Sequence, residues 1–123
     1  MQAPLKFDIY KQHCPGRLFF ERLADKWVLL ILYVLMHQPL HFNLLKKNIE
    51  GISPKVLSQK LKMLERDGFI SRHVQAGSPI RVEYQLTALG RDVSQTAYQL
   101  KDWSETNIKQ VLAAQQYYDA QHN

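Results

Sequence analysis

Five polar side chains in the middle of the chain recur at helical spacing and could make hydrogen bonds to a nucleic acid. They are Lys55, Ser58, Gln59, Lys62 and Arg66. Because residues three, four and seven positions apart share one side of a helix, all five should face the same way. Glutamine can pair with adenine through two hydrogen bonds, and serine can pair with either type of base, whereas lysines more often hold phosphates. This face is therefore predicted to read DNA, with Ser58 and Gln59 at the base edges and Lys55 and Lys62 at the backbone.

The flanking residues predict the helix that carries this face. Ser53 can accept a hydrogen bond from an unpaired amide of the first turn, and Pro54 suits the first helical position, where no amide hydrogen is needed. Gly68 is typical of the residue that follows a helix end. An apolar stripe occupies the other side: Leu57, Leu61 and Leu64, widened by Val56 and Met63. The pattern indicates an amphipathic recognition helix packed on a core.

Two short strands are predicted after this helix. Residues 69–74 are rich in β-branched and aromatic side chains, and residues 75–79 contain the turn formers Gly77 and Pro79. Apolar and polar residues alternate over 82–86, which indicates a half-buried strand. Ser78 and Arg81 lie at the tip of this hairpin and are predicted to contact phosphates or the adjoining minor groove.

A second, shorter helix is predicted upstream, over residues 42–49, and the tight turn Glu50-Gly51-Ile52 follows it. Lys46 and Lys47 on this helix are further candidates for phosphate contacts. A helix-turn-helix over 42–67 followed by a wing over 69–86 is a winged helix-turn-helix. The predicted fold class is thus mainly α with a small β-hairpin (α+β).

The distribution of charge supports this prediction more than the net charge of +5 does. Residues 41–81 contain eight lysines and arginines and three acidic residues, so the whole excess lies in the proposed DNA-reading unit. Such a concentration is the electrostatic footprint expected for phosphates. The alternative is a merely solvated helix face, since lysine and arginine occupy exposed positions on most helices.

Several function classes are not expected for this chain. A length of 123 residues fits one domain, and the longest apolar run, 27–36, is shorter than the roughly 18 residues that span a membrane. That run predicts a buried helix that is hydrophobic all round. We find no signal-peptide pattern, no metal-ligand spacing among the histidines, and no catalytic motif. The expectations are a cytoplasmic protein, not an enzyme, with no cofactor, no metal and no membrane partner.

The ends of the chain predict dimerisation. Residues 1–13 are expected to be an extended arm, residues 14–112 the folded domain, and residues 113–123 a fraying tail. Within the domain, Cys14-Pro15 should open a helix reaching about Ala24, Asp25 should cap the apolar helix, and Thr87 should cap a long helix over 88–112. A domain this small cannot bury the whole apolar face of that last helix, so a second copy is expected to cover it. Cover from within the same chain is the alternative.

The chain resembles the HxlR-type family of bacterial transcriptional regulators in many motifs that occur in the expected order. These are His13-Cys14-Pro15, residues 23–32 (LADKWVLLIL), residues 41–45 (HFNLL), residues 51–61 (GISPKVLSQKL), residues 64–68 (LERDG), residues 81–87 (RVEYQLT), Gly90 and Trp103. The resemblance implies a winged-helix homodimer that binds double-stranded operator DNA without catalysis. His41 and Leu44 depart from it, because the family usually has arginine and glutamate there, and this weakens any phosphate or capping role for the start of that helix.

Cys14 is the other candidate site, and it is the only cysteine of the chain. A helix N-terminus stabilises a thiolate, and His13, Lys11 and Arg17 are close in sequence and would add positive potential. The resemblance also implies a role, since the family includes members that sense oxidants, aldehydes or quinones through a cysteine at this place. The alternative is a small buried apolar residue that senses nothing. A single cysteine cannot form an internal disulfide.

Together these features predict a homodimeric regulator, in the sense of a repressor, that binds a palindromic operator and is switched through Cys14 by a thiol-reactive compound. Two alternatives stay open. One is a regulator that binds a small-molecule effector in a pocket at the dimer interface. The other is a winged helix that docks a protein instead of DNA, for which binding should depend less steeply on salt.

Overall fold

The structure, a computed structural model, describes residues 7–123. Five helices and three strands follow one another: α1 (Pro15–Leu23), α2 (Lys26–Leu35), β1 (Leu40–His41), α3 (Phe42–Asn48), α4 (Pro54–Arg66), β2 (Ile70–Gln75), β3 (Arg81–Leu86) and α5 (Ala88–His122). The strands form one antiparallel sheet in the order β1-β3-β2. This arrangement confirms the predicted mainly α winged helix-turn-helix.

The core lies between α2, α3, α4 and the base of the sheet. α2 contributes Val28, Ile31 and Leu32, all fully buried, and the predicted leucine stripe of α4 faces them. The prediction that α2 is buried all round was wrong on one side. Leu30 is 42% exposed, because the neighbouring elements of a single chain cover only part of the circumference of α2.

The predicted helix ends are confirmed by their hydrogen bonds. The Ser53 side chain accepts from the Val56 amide at 3.1 Å, and Asp25 accepts from the amides of Trp27 and Val28. Each of these bonds satisfies an amide that the first turn leaves without a partner. At the other end of α4, Gly68 has a φ of +84°, a left-handed conformation that glycine adopts without strain.

The sheet contains one strand more than predicted. β2 and β3 form the expected hairpin, from Ile70 opposite Leu86 to Gln75 opposite Arg81. β1 has only two residues, which pair with Tyr84 and Glu83 of β3. Two residues are too few to show an alternating pattern, so this strand depends on its partner and left no signal in the sequence.

α5 is much longer than predicted. It runs to His122, so residues 113–123, expected to be a fraying tail, continue the helix. The segment contains alanines and glutamines but no glycine or proline, so nothing in it terminates a helix. The arm was also mispredicted over residues 7–13, which form turns closed by bonds from the Lys11 amide to Asp8 and from the Cys14 amide to Lys11. Residues 1–6 of the predicted arm lie outside the described residues.

Gly90 lets α5 approach the segment that joins α4 to β2. The Thr87 side chain caps α5 by accepting from the Gly90 amide and donates to the Gly68 carbonyl at 2.7 Å. A Cβ on Gly90 would lie 1.9 Å from the carbonyl oxygen of Phe69, so only glycine fits. Within residues 7–123, no helix has the length and apolar character needed to cross a membrane.

Candidate nucleic-acid interface

The polar face of α4 is open to solvent. Lys55, Gln59, Lys62 and Arg66 are exposed, and Ser58 is half-buried. They face outward because the three leucines on the other side of the helix are buried in the core. The structure therefore presents one amide, one hydroxyl and three cations along a single side of a 13-residue helix.

The wing adds two residues that sequence reasoning missed. Arg72 of β2 and Tyr84 of β3 lie opposite each other in the sheet, and together with Ser58, Lys62 and Glu65 they line a groove of about 400 Å³. Arg72 is exposed and thus extends the positive surface of α4 onto the sheet. The only signal in the sequence was an arginine within a predicted strand, which does not tell which helix that strand will pack beside.

Ser78 and Arg81 are both exposed, as expected for the tip of the wing. Arg81 begins β3 opposite Gln75, at the far end of the hairpin from its junction with α4 and α5. Neither residue lines the groove beside Ser58. The tip therefore forms a second polar area, separated from α4 by the length of the hairpin.

Lys46 and Lys47 are exposed on the last turn of α3. Cations there also stabilise the helix, because the carbonyl end of a helix carries a partial negative charge. The structure does not place them in the groove beside Ser58. As proposed phosphate contacts, Lys46 and Lys47 thus lie apart from the α4 surface.

His41 and Leu44, the two residues that depart from the pattern of the resembled family, lie at the start of α3. His41 precedes α3 but its side chain makes no capping hydrogen bond. Instead, Nδ1 of His41 lies 3.3 Å from the carbonyl oxygen of Val82 in β3. Leu44 is 44% exposed and lines an open groove between α3 and the wing. At this helix start, His41 thus contacts the wing, and Leu44 lies in the groove beside it.

One lysine of the recognition helix is not free to bind phosphate. Nζ of Lys60 lies 3.0 Å from Oδ2 of Asp25, the residue that caps α2. Burial acts to raise the pKa of Asp25, but the hydrogen bond from Lys60, its charge and two backbone amides outweigh this, so the pKa is lowered from its usual 3.8. Lys60 therefore belongs to the scaffold.

Cys14 occupies the residue before α1, in an extended conformation, and is a half-buried free thiol. Two of the nearby side chains, Lys11 and His13, are exposed. Arg17 instead pairs with Glu21 at 3.4 Å, so part of its charge is compensated. Within the described part of the chain, no group of three or more potential ligands could hold a metal ion.

Large apolar side chains remain exposed on the two terminal helices. On α1 they are Leu18, Phe19 and Phe20, and on α5 they include Leu100, Trp103, Ile108, Val111, Leu112 and Tyr118. Exposed apolar surface of this extent on a small domain is typical of an interaction site.

A winged helix-turn-helix with a solvent-facing polar helix beside a basic wing defines a DNA-binding protein. Comparison with known proteins agrees. A family profile described as HxlR-like helix-turn-helix matches residues 22–112. The chain belongs to this HxlR-like family, and it is a transcriptional regulator with a helix-turn-helix DNA-binding domain.

Relatives and solved structures support the assignment. The chain is 39% identical over 106 residues to the uncharacterised HTH-type transcriptional regulator YtfH of Escherichia coli (strain K12), covering 86% of this chain and 84% of that protein. The structure of the transcriptional regulator ytfH from Salmonella typhimurium matches with a TM-score of 0.85 and 37% identity, over 90% of this chain and 99% of that one. The redox regulator HypR in its oxidised form matches with a TM-score of 0.71 and 31% identity, over 76% and 97%.

Proposed function

We propose that the protein is a homodimeric repressor that binds a palindromic operator through α4 and the wing. The observation that carries this proposal is the exposed face of α4, where Ser58 and Gln59 lie among three cations and beside Arg72. A helix of 13 residues is about 20 Å long, which suits insertion into a major groove about 12 Å wide.

Within this interface, Gln59 and Ser58 are assigned to base edges, because amide and hydroxyl groups can both donate and accept hydrogen bonds. Lys55, Lys62 and Arg66 are assigned to phosphates, which fix the position of the helix without reading sequence. At the wing, Arg81 and Ser78 would contact the backbone or the minor groove. Lys46 and Lys47 would add phosphate contacts from α3, and Arg72 joins the phosphate set because of its place beside Lys62.

The dimer is supported by a stripe along α5. At 100° per residue, Leu100, Trp103, Val111 and Tyr118 fall within about 80° of the helix circumference. All four are exposed in the single chain, and every residue of α5 from 108 to 122, about four turns, is exposed as well. A two-fold partner would bury this stripe, and it would set two α4 helices to read half-sites about 34 Å apart or a multiple of that.

Cys14 is proposed to switch the repressor. It lies at the start of α1, a helix that exposes apolar side chains as α5 does, so an adduct there would disturb the surface assigned to the dimer. The structural similarity to a protein named as a redox regulator supports the proposal. A mixed disulfide with a small thiol, an electrophile adduct or a bridge to another chain would each serve, since an internal disulfide is excluded.

The decisive experiment is a salt titration of DNA binding with and without a thiol-reactive electrophile. The probes are a labelled duplex from the region upstream of its own gene and a duplex enriched by the protein from a random-sequence pool. Tight, salt-steep binding that the reagent abolishes in the wild type but not in Cys14→Ser supports the whole proposal. If the reagent leaves DNA binding unchanged, the proposal of a DNA-binding regulator is supported and the proposal of a Cys14 switch is refuted. If no duplex binds even at low salt, DNA reading is refuted, and protein docking becomes the better explanation.

A second candidate, a small-molecule effector, is favoured by one specific observation. An almost wholly apolar groove of about 310 Å³ lies between α1, α2 and α5, lined among others by Phe20, Leu29, Val93 and Leu100. That volume is at the lower end of the range for ligand pockets. A hydrophobic compound that changes DNA affinity in Cys14→Ser as much as in the wild type would support this candidate over thiol sensing.

A further inference from the structure

Two ion pairs tie the recognition helix to the junction between α1 and α2. Nζ of Lys60 lies 3.0 Å from Oδ2 of Asp25, and Nη1 of Arg22 donates to both carboxylate oxygens of Asp67 at 3.2 Å. Arg22 is in the last turn of α1 and Asp25 caps α2, so the two partners on the scaffold are only three residues apart. The junction therefore holds α4 at two points.

Both contacts lie on the back of the recognition helix. Lys60 and Asp67 are seven residues apart, which places them on nearly the same side, about 10 Å apart along the axis. At 100° per residue this side is about 140° from the midpoint of the proposed base readers Ser58 and Gln59. The paired side chains thus hold the helix from the side that faces away from the proposed DNA surface.

The order of charges makes this attachment specific. The helix presents a cation and then an anion, and the scaffold presents the anion Asp25 and the cation Arg22 to match them. Shifting or turning the helix would lose both pairs together. The leucine contacts of α4 are less selective, because apolar burial is non-directional and cores tolerate repacking. Asp67 has only 8% of its side chain exposed, so its position depends on Arg22 more than that of a surface carboxylate would.

We propose that Arg22 and Lys60 are positioning residues for DNA reading, which fix the rotation of α4 through their pairs with Asp67 and Asp25. The proposal rests on the proposed function. With side-chain ends about 5 Å from the helix axis, a rotation of about 20° moves them by about 2 Å. Hydrogen bonds tolerate only about 0.5 Å in donor–acceptor distance, so such a rotation would break the contacts to base edges.

Positioning and phosphate binding predict different losses. A lysine that contacts phosphate, as assigned to Lys62, contributes to affinity for every duplex. It also contributes to the salt slope, which is the slope of log affinity against log salt concentration. Lys60 instead forms an ion pair with Asp25, on the back of the helix. Its loss should therefore lower affinity for the preferred sequence, leaving the salt slope and the affinity for random duplex unchanged.

The test compares two double variants that remove the same charge. Arg22→Gln/Lys60→Gln breaks both pairs to α4. Arg17→Gln/Lys101→Gln is the matched control. Each of its residues pairs with a glutamate four positions along its own helix, Glu21 and Glu105, and Lys101 also lies over the ring of Tyr33 in α2, but neither residue forms an ion pair with α4. Each variant is titrated with the duplex enriched by the wild type and with a random duplex of equal length, at several salt concentrations. Circular dichroism and melting curves establish that the variants are folded.

The expected result for the first variant is a loss of about fivefold to a hundredfold on the enriched duplex, as for one or more lost base contacts. Its affinity for random duplex should stay within about twofold of the control, with the same salt slope. The two ion pairs are proposed to act by placing Ser58 and Gln59 at the base edges. The loss of affinity for the enriched duplex should therefore be smaller when Gln59→Ala is already present. Arg22→Lys with Lys60 unchanged keeps both positive charges. Compared with the double variant, it should recover much of the affinity for the enriched duplex.

Equal losses on the two duplexes, or undiminished binding to the enriched duplex by a folded variant, would overturn the positioning role. If the double variant does not fold, Lys60→Gln alone breaks one pair and is judged by the same two duplexes. Failure of the proposed function looks different, because the wild type itself would then enrich no sequence, and the positioning role would fall with it.

Discussion

Replacing Gly90 by alanine should destabilise the protein although it adds a better helix former. Alanine favours the helix over glycine by about 1 kcal/mol. Against this, the new Cβ would lie 1.9 Å from the Phe69 carbonyl oxygen, 2.9 Å from its carbon and 3.3 Å from a methyl group of Leu86. Real Cβ atoms essentially never approach within 3.0 Å, so the two backbones must separate by more than about 1 Å.

The separation has a definite cost. Phe69 accepts a hydrogen bond from the Thr87 amide at 3.1 Å, and Gly68 accepts one from the Thr87 hydroxyl at 2.7 Å. Losing one or both costs about 1 kcal/mol each, and the overpacking costs about 1–3 kcal/mol. After the gain in helix propensity is subtracted, Gly90→Ala should lower the free energy of unfolding by about 1–4 kcal/mol.

Urea unfolding, followed by circular dichroism at one fixed protein concentration, measures this change. Gly16→Ala is the matched control, because its Cβ would meet Cys14 and Phe7 at an ordinary 3.4 Å. That variant should change stability by no more than about 1 kcal/mol in either direction. If Gly90→Ala were as stable as the wild type or more so, the close approach of α5 to Phe69 would be refuted.

Three further predictions address the interface, the scaffold and the dimer. Gln59→Ala should relax sequence preference at a cost of about 1–3 kcal/mol for one base pair, which binding selections measure. Lys62→Ala should weaken binding to all sequences alike and reduce the slope of log affinity against log salt concentration by about one, which salt titrations measure. A uniform loss of affinity for both variants would contradict the assigned roles. Because the folded-state pKa of Asp25 lies below its usual 3.8, its contribution to stability is present above that pH and is lost as the pH falls through the lowered value. Asp25→Asn should therefore show a shallower fall in urea midpoint over that acid range, and an unchanged slope would count against the pair with Lys60. Trp103→Glu should place a charge in the proposed dimer interface and raise the dimer dissociation constant by about thirtyfold or more, as for a hot-spot residue; sedimentation equilibrium that shows an unchanged dimer would remove α5 from the interface.

The recognition helix could be predicted from sequence because its determinants are local. Ser53, Pro54 and Gly68 mark its ends, and each acts through bonds or backbone angles within a few residues. The leucine period then decides which side is buried and which faces solvent. The same reasoning predicted the caps of α2 and α5 and the hairpin of β2 and β3. It failed for the end of α5, where no helix breaker stops the helix before His122.

Other features depend on contacts between distant parts of the chain. β1 is a strand only because β3 lies beside it, more than 40 residues later. Arg72 joins the groove beside Ser58 because β2 packs against α4. Neither residue type nor periodicity shows such neighbours, since both describe only what lies near in sequence.

By itself, the sequence determined the winged helix-turn-helix, the face of α4 that meets solvent, and the surplus of apolar surface at the ends. The tertiary structure decided how that face is held. It paired Lys60 with Asp25 and Asp67 with Arg22, and it brought Gly90 against Phe69. The reason is physical: caps and amphipathic periods act over one or two helical turns, whereas a salt bridge or a steric contact depends on where the folded chain brings two remote segments together.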